Sequence, residues 1–507
     1  MAKVIEVFEK ATGNRLGEVP ARTVEECREA VKRARSAQKI WAKKSYEDRG
    51  RIMLRFRDAL LDRIDETARL LSQENGKTLQ ESVMMEIMPI ADLATYFARN
   101  AGRILSPKKI PLHLFLHRAS YVHYKPRGVL LLISPWNFPF TIPTGEVIMA
   151  LMAGNAVVHK PASLTPLIAL HTRKLFDEAG LPPDIYQVVT APGRTAMEMV
   201  GMGVDFVSFT GSTETGKAIA AEAGKYLIET TMELGGKDPA IVCEDANLNQ
   251  AANSIVFGAL ANSGQVCASI ERVYAVGKTY EPLVEKIVER VKRLRQGNPL
   301  DEVDVGAMTD EGQLKIIEQQ VDRAREQGAV IHTGGKRPDG PGLFYPPTVL
   351  TNVTETMDVI AEETFGPVIP VMRVESIDEA IERSNNSRYG LDAYVFTRDR
   401  KRGRQIAERL DAGTVQVNDW LPTHAAPETP WGGVKESGIG RVHGDDGLRH
   451  LCEAYHVNYD RTPMPDRLPI SYPYSKQAYR MISGATKALY ASSLTDRVRA
   501  VRDLFGA

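Results

Sequence analysis

The spacing of apolar and polar residues along this chain changes near residue 128. Before that point, apolar residues recur at roughly helical spacing, as in the segment that begins with the capping-box pair Thr23 and Glu26. After it, short apolar runs are separated by glycine and proline, a pattern typical of buried strands joined by turns. The first hundred residues are therefore predicted to be helical.

Two series of predicted strands alternate with predicted helices, which indicates parallel βαβ units whose sheets are covered on both faces. The first series has strands at 129–133, 156–160, 185–189 and 204–209 and helices at 164–179 and 214–223. The second has strands at 240–243, 368–371, 393–396 and 414–417 and helices at 247–263, 281–295 and 313–327.

Two alternating segments and the tail fit neither series. Ser120–Tyr124 is predicted to form an exposed hairpin with the following strand, and Tyr455–Tyr459 has the same character. Long apolar edges usually need covering, so we expect pairing between subunits. Residues 476–504 are predicted to form one or two amphipathic helices that pack on the catalytic body or on a partner subunit. Capping of the substrate entrance and contact with a membrane are alternatives.

Length and composition describe a globular protein of two or three domains. Lys+Arg and Asp+Glu both number 64 in 507 residues, so no net charge favours nucleic acid or an anionic membrane. We expect no membrane span and no signal peptide. The four cysteines are scattered, which argues against a disulfide framework or a metal site and favours the cytoplasm.

Glu233 and Cys267, which stand 34 residues apart, are candidates for chemistry. A thiolate that attacks a carbonyl and a carboxylate that later activates water suffice for covalent acyl transfer. A single cysteine is otherwise most often a small buried hydrophobe, so the surrounding motifs must decide.

Three further motifs follow predicted strands. In Ser134–Pro139, Asn137 offers an amide donor for a developing oxyanion, or else it caps its own turn. Lys160 ends a strand at the sheet edge where α/β proteins bind ligands, or else it is a solvated charge. Thr210–Gly216 precedes a helix and suits a pyrophosphate, although it is not a GxGxxG fingerprint and resembles an ordinary turn.

Seven colinear motifs resemble those of the NAD(P)-dependent aldehyde dehydrogenase superfamily over roughly residues 20–460. They are Ser134–Pro139, Gly154–Pro161, Phe209–Gly216, Glu233–Pro239, Gly264–Cys267, Glu362–Val368 and Gly432–Arg441. The resemblance implies an α/β fold with two doubly wound parallel-sheet units and a small β-hairpin oligomerisation element. The implied boundaries are 1–118 and 134–234 for the cofactor-binding domain, 235–444 for the catalytic domain, 119–133 and 453–462 for the oligomerisation element, and 463–507 for a C-terminal extension.

The resemblance also implies roles for individual residues. Cys267 matches the nucleophile, Asn137 with the Cys267 N–H matches the oxyanion hole, and Glu233 matches the base that activates water. Lys160 and Glu363 match residues that hold ribose hydroxyls, and Phe365 matches the residue beside the nicotinamide-side ribose. The other implied cofactor-binding residues are Ser134, Pro135, Trp136, Ser163, Gly211, Ser212, Gly216 and Leu234; no metal is implied.

The implied function is oxidation of an aldehyde to the carboxylic acid with NAD or NADP, through a cysteine thiohemiacetal and a thioester, in a homodimer or homotetramer. Glu233 favours hydrolysis over transfer to coenzyme A. A coenzyme A-acylating enzyme and a non-catalytic protein that retains the fold stay open as alternatives.

Three positions depart from the family pattern. Ser163 replaces a glutamate common in NAD-specific relatives, so NADP is an open possibility. Val442 replaces a glutamate implicated in proton relay. Gly145 replaces a bulky aromatic residue, which predicts a wider substrate tunnel.

Overall fold

The computed structural model describes residues 3–420, 423–462 and 471–505. They form two compact units: residues up to Ser106 together with Tyr124–Ala454, and Pro107–His123 together with the described residues from Tyr455 onward. Within the described residues, no helix is both long enough and apolar enough to cross a membrane.

The strands, in chain order, are β1 Val4–Phe8, β2 Arg15–Pro20, β3 Lys108–Lys109, β4 Arg118–Pro126, β5 Val129–Ile133, β6 Ala156–Lys160, β7 Tyr186–Val188, β8 Phe206–Thr210, β9 Glu229–Glu233, β10 Asp238–Val242, β11 Ile270–Val276, β12 Val330–Thr333, β13 Thr348–Thr351, β14 Val368–Val374, β15 Asp392–Phe396, β16 Thr414–Val417, β17 Gly438–Ile439 and β18 Cys452–Asp460.

The helices are α1 Val24–Trp41, α2 Tyr46–Asp62, α3 Ile64–Asn75, α4 Leu79–Glu81, α5 Met88–Ile104, α6 Thr141–Ala153, α7 Pro166–Glu178, α8 Thr195–Val200, α9 Thr213–Lys225, α10 Leu248–Leu260, α11 Tyr280–Val291, α12 Glu311–Glu326, α13 Asp358–Ala361, α14 Ile377–Asn385, α15 Arg400–Ala407, α16 Gly444–His450, α17 Lys476–Tyr490 and α18 Leu494–Phe505. A π-helical turn, Ser82–Ile87, connects α4 to α5.

Two largely parallel sheets dominate the first unit. One has the order β17-β9-β8-β5-β6-β7, in which β17 alone runs antiparallel. The other has the order β12-β13-β14-β11-β10-β15-β16, in which β12 alone runs antiparallel. Every residue of β5, β6, β8 and β10 is buried, as expected of strands covered by helices on both faces.

The α/β class and both parallel sheets confirm the predicted fold class, and the capping box at Thr23 begins α1 as predicted. Three expectations were wrong. The first twenty residues contain the antiparallel hairpin β1–β2. The strand β4 pairs with β3 and β18 in a three-stranded sheet, not with the strand that follows it. Residues 129–133, assigned to the oligomerisation element, form β5 inside the six-stranded sheet.

The helix α6 lies in the core between the six-stranded sheet and the N-terminal helices, where it contacts α2, α5 and β6. All thirteen of its residues are buried. Its start follows the loop that carries Asn137, so the core fixes the position of that loop. One of the buried residues is the acidic side chain of Glu146, which no aliphatic core requires.

Candidate active site

The register of the six-stranded sheet aligns the ends of its parallel strands. Ile133 lies opposite Lys160 on one side and Phe209 on the other, and Thr210 lies opposite Glu233. The loops after β5, β8 and β9 therefore emerge at one edge of the sheet. This is the edge where open α/β sheets bind ligands.

Cys267 lies on the loop between α10 and β11, and β11 is a strand of the seven-stranded sheet. A tight turn with positive φ angles precedes it: 51° at Asn262, 56° at Ser263 and 75° at Gly264. A Cβ at Gly264 would collide with the backbone of Gly366, and one at Gly236 would collide with the Cys267 carbonyl. The loop can pass this close to its neighbours because these positions lack a side chain.

Both the side-chain amide and the backbone carbonyl of Asn137 are held by hydrogen bonds. Its side-chain Nδ2 donates to the Gln265 carbonyl at 3.0 Å, which leaves the second amide hydrogen available. Its own carbonyl accepts from Lys77 Nζ at 3.0 Å and from Asn262 Nδ2 at 2.9 Å. The amide is therefore fixed beside the loop that carries Cys267.

An ion pair between Lys77 and Glu86 anchors this arrangement, and both side chains are fully buried. Glu86 lies in the π-helical turn and accepts from the backbone N–H groups of Phe140 at 3.2 Å and Thr141 at 2.6 Å. The same carboxylate thus satisfies Lys77 and the first N–H groups of α6.

Glu233 is buried, and among the described residues neither carboxylate oxygen has a well-formed hydrogen bond, although the side chain of Trp431 approaches it as a donor and lowers its pKa. Burial, and next the charge of Glu146, raise the pKa of Glu233 well above its usual range, while Arg441 opposes the shift. A buried carboxylate with free oxygens is a proton acceptor in need of a donor, such as water.

A cleft of ≈ 140 Å³ brings most of the predicted residues together. Its lining includes Pro135, Trp136, Asn137, Gly211, Ser212, Glu233, Leu234, Cys267, Glu363 and Phe365. It also includes Gln313, which sequence reasoning missed, and whose Nε2 donates to the Thr364 carbonyl at 2.8 Å.

Four predicted cofactor residues do not line this cleft. The Ser134 hydroxyl bonds to His159 Nε2 at 2.7 Å, inside the sheet. Lys160 is buried, its Nζ donates to the Pro161 carbonyl at 3.3 Å, and burial lowers its pKa to about 8. Gly216 lies in α9, where a Cβ would collide with Leu234. Close packing against Leu234 therefore accounts for the glycine at this position. Ser163 is half-buried two residues beyond Pro161.

The loop that carries Glu363 and Phe365 is fixed by a second buried ion pair. Glu271 accepts from the N–H groups of Thr364 at 2.7 Å and Phe365 at 2.8 Å, and from Lys237 Nζ at 2.6 Å. Glu363 Oε1 accepts from the Gly236 N–H at 3.0 Å, and burial raises its pKa to about 8.

Cys267 also borders a second cavity of ≈ 120 Å³, on the side away from Trp136 and Glu363. Among the described lining residues, the two cavities share Cys267 and no other. The thiol is half-buried, and burial, followed by the charge of Glu233, raises its pKa. The free thiol is therefore protonated at neutral pH and must lose its proton to react.

The three departures from the family pattern have structural outcomes. A Cβ at Gly145 would meet Leu93 at 3.2 Å and His443 at 3.4 Å, so neighbouring side chains fill this space and the predicted wider tunnel is wrong. Val442 is buried beside Trp431 and brings no carboxylate. The second acidic group near Glu233 is instead Glu146. In the sequence it stands out as the one charged residue of α6.

The thiol, the fixed amide and the free carboxylate surround one cleft, an arrangement suited to covalent attack on a carbonyl followed by hydrolysis. Unpartnered Thr210 Oγ1 and the start of α9 at Ser212 face the same cleft and offer polar groups to a phosphate. In the described residues, no group of three or more His, Cys, Asp or Glu is arranged to hold a metal ion.

Comparison with known proteins supplies the context for this geometry. The model of the aldehyde dehydrogenase family matches residues 1–457. A protein of Mycolicibacterium smegmatis, provisionally named succinate-semialdehyde dehydrogenase (NADP(+)), is 38% identical over 504 residues, or 99% of this chain and 94% of the relative. The NAD+ complex of an aldehyde dehydrogenase from Bacillus cereus is 35% identical with a TM-score of 0.87, covering 91% of this chain and 94% of that chain. An NADP dependent enzyme of E. coli is 32% identical with a TM-score of 0.87, covering 90% and 95%.

Proposed function

The chain belongs to the aldehyde dehydrogenase family and oxidises an aldehyde to the carboxylic acid with NAD or NADP, and we propose that Cys267, Asn137 and Glu233 perform the chemistry. The observation that carries the assignment is the single cleft lined by all three side chains. The assignment makes Cys267 the nucleophile, Asn137 the oxyanion donor and Glu233 the base.

In the first half-reaction, the Cys267 sulfur adds to the aldehyde carbon after its proton has left. That proton passes to solvent, so Glu233 stays ionised for the second half-reaction. The carbonyl oxygen becomes an oxyanion, which receives the free amide hydrogen of Asn137 and the Cys267 N–H. Loss of hydride from the carbon leaves a thioester on Cys267.

The dinucleotide supplies the acceptor for that hydride. Trp136, Phe365 and Glu363 stand on the cleft side of Cys267, and Gly211 and Ser212 begin the helix that suits the pyrophosphate. Ser163 places no carboxylate near the adenosine ribose, so a 2′-phosphate meets no repulsion there. Steady-state kinetics measured in parallel with NAD and with NADP test whether NADP is accepted.

In the second half-reaction, Glu233 takes a proton from water, and the hydroxide attacks the thioester. The carboxylic acid leaves and the thiol is restored. The Glu233 carboxylate supports this role because, within the described part of the chain, neither of its oxygens has a well-formed hydrogen bond and the donor that approaches it is the side chain of Trp431.

Rapid-quench mass spectrometry tests the assignment with one uncharged aldehyde. We expect Cys267→Ala to give no turnover and no adduct. We expect Glu233→Gln to give a stoichiometric burst of reduced cofactor, then a stall with the acyl mass on Cys267. An acyl mass on another side chain, or full turnover by Glu233→Gln, contradicts the assignment.

We further propose a homodimer or homotetramer in the cytoplasm. In the three-stranded sheet, β18 is an edge strand that exposes Tyr455 and Tyr459. Exposed edges usually find a partner. The four cysteines are all free, which is the usual condition in a reducing compartment.

A further inference from the structure

We propose that this chain acts on uncharged, apolar aldehydes and discriminates against short semialdehydes that carry a carboxylate. The inference rests on the proposed role of Cys267, because the second cavity matters for substrate only if that thiol is the nucleophile. It departs from the provisional name of the M. smegmatis relative, which refers to succinate semialdehyde.

The second cavity has a mainly apolar lining, to which Thr141 and His424 add polar groups. Its lining is dominated by large hydrophobic side chains: Met84, Met85, Met88, Phe138, Trp420 and Trp431. Among its described lining residues, none is an arginine or a lysine.

The one titratable base in the lining is His424, and it is not a carboxylate partner. Its ring packs edge-on against Trp431 at 5.6 Å and lies 4.5 Å from the ring of His443. Burial lowers the pKa of His424 to about 4, and burial also lowers that of His443. Both imidazoles are therefore neutral at physiological pH.

The nearest arginines lie in a groove that adjoins this cavity across Met84 and Trp420. Arg293 pairs with Glu289, and Arg295 pairs with Asp304 at 3.1 Å. Arg290 bonds to Asn253 Oδ1 at 2.5 Å. In a four-carbon semialdehyde the carboxylate lies three carbon–carbon bonds from the carbon that Cys267 attacks, whereas these arginines line the adjoining groove and each already has a partner.

A carboxylate in this cavity would lose its water without gaining a cation, and the Thr141 hydroxyl and the neutral imidazole of His424 cannot replace a counter-charge, which is unfavourable. An alkyl chain of the same size buries apolar surface against methionine and tryptophan instead. Each added methylene that still fits should raise kcat/KM about fourfold. Methionine side chains also adapt to ligands of different shape, so a range of apolar aldehydes should be accepted.

The test compares succinate semialdehyde with 4-methylpentanal, which replaces the carboxylate by an isopropyl group of the same shape. With one saturating cofactor, we expect kcat/KM to be at least about 100-fold higher for 4-methylpentanal. Equal values, or a preference for the semialdehyde, overturn the inference while leaving the assignment of Cys267 intact. No oxidation of either aldehyde and no acyl mass on Cys267 would instead mark failure of the proposed function.

A cation introduced into the cavity wall tests the physical cause. Met88 is 58% exposed at the start of α5, so Met88→Arg should fold, and its guanidinium could meet a carboxylate. We expect the ratio of kcat/KM for succinate semialdehyde over 4-methylpentanal to rise about tenfold. Met88→Leu is the matched control and should keep the wild-type ratio. An unchanged ratio in Met88→Arg contradicts the placement of the substrate chain in this cavity.

Discussion

At the scale of single residues, the protonation state of the buried Glu233 depends on two neighbours of opposite charge, Glu146 and Arg441. Burial raises the pKa of Glu146 to about 7, and its charge in turn raises the pKa of Glu233, whereas Arg441 lowers it. Arg441 is held in place by donating to the carbonyls of Gly433 at 3.0 Å and Gly440 at 2.6 Å. Glu146 thus tunes the base, although Val442 leaves no carboxylate at the position that the family pattern suggests.

The pH profile of kcat measures this tuning. Glu233 accepts a proton only when ionised, so activity is lost as the pH falls through its pKa. Glu146→Gln removes the like charge and should move the acid limb to lower pH. Arg441→Gln removes the opposing charge and should move it to higher pH. An acid limb that stays in place in both variants would show that neither charge acts on Glu233.

At the scale of elements, the π-helical turn Ser82–Ile87 joins three parts of the site. Its Glu86 pairs with Lys77 and holds the start of α6, while Met84 and Met85 line the second cavity. Because Lys77 also donates to the Asn137 carbonyl, the position of the proposed oxyanion donor depends on this turn. Such π-helical turns occur often at functional sites.

Breaking the ion pair on this turn should be costly. Glu86→Gln leaves the buried ammonium of Lys77 without its counter-charge, so we expect a loss of about 3–5 kcal/mol in the free energy of unfolding, measured in urea. The double variant Lys77→Met, Glu86→Gln should lose less, because no unpaired charge stays buried. Glu281→Gln, which breaks the exposed pair with Arg373, should cost about 1 kcal/mol or less. A Glu86→Gln effect as small as this control contradicts the anchoring role.

At the scale of the whole molecule, assembly is expected to involve the second unit. Tyr455 and Tyr459 are 44% and 49% exposed on β18, and Tyr459 stacks on Tyr121 with ring centroids 6.0 Å apart. Charging both positions, in Tyr455→Glu with Tyr459→Glu, should shift the sedimentation coefficient toward the monomer. Ile40→Glu, at an exposed position of α1, is the control and should leave the sedimentation coefficient unchanged. Assembly that survives the double change would place the interface elsewhere.

The strands visible in the sequence are those whose residues are almost all apolar and buried, such as β5 and β8. Other strands could not be found this way because they carry charges that only the fold satisfies. In β11, Glu271 pairs with Lys237, and Arg272 donates to the carbonyls of Lys237, Arg383 and Ser384. Such partners are far apart in the chain and leave no local pattern.

The residues of the candidate site also divide into those that a local sequence motif reveals and those that only tertiary contacts reveal. Cys267, Glu233 and Asn137 were found because each lies in a recognisable motif, and the structure brings them to one cleft. Gln313, Glu146 and the Lys77–Glu86 pair were missed because their roles depend on tertiary contacts. Ser134 was predicted from its motif, but its hydroxyl is directed into the sheet by His159.

Among the described lining residues, Cys267 alone is shared by the two cavities, and this position bears on inhibitor design. A small apolar aldehyde analogue can occupy the methionine-lined chamber while the dinucleotide stays in place, so its potency should not fall as the coenzyme concentration rises. An electrophile delivered through either chamber meets the same sulfur. Tethering two such fragments through that atom would block both compartments at once.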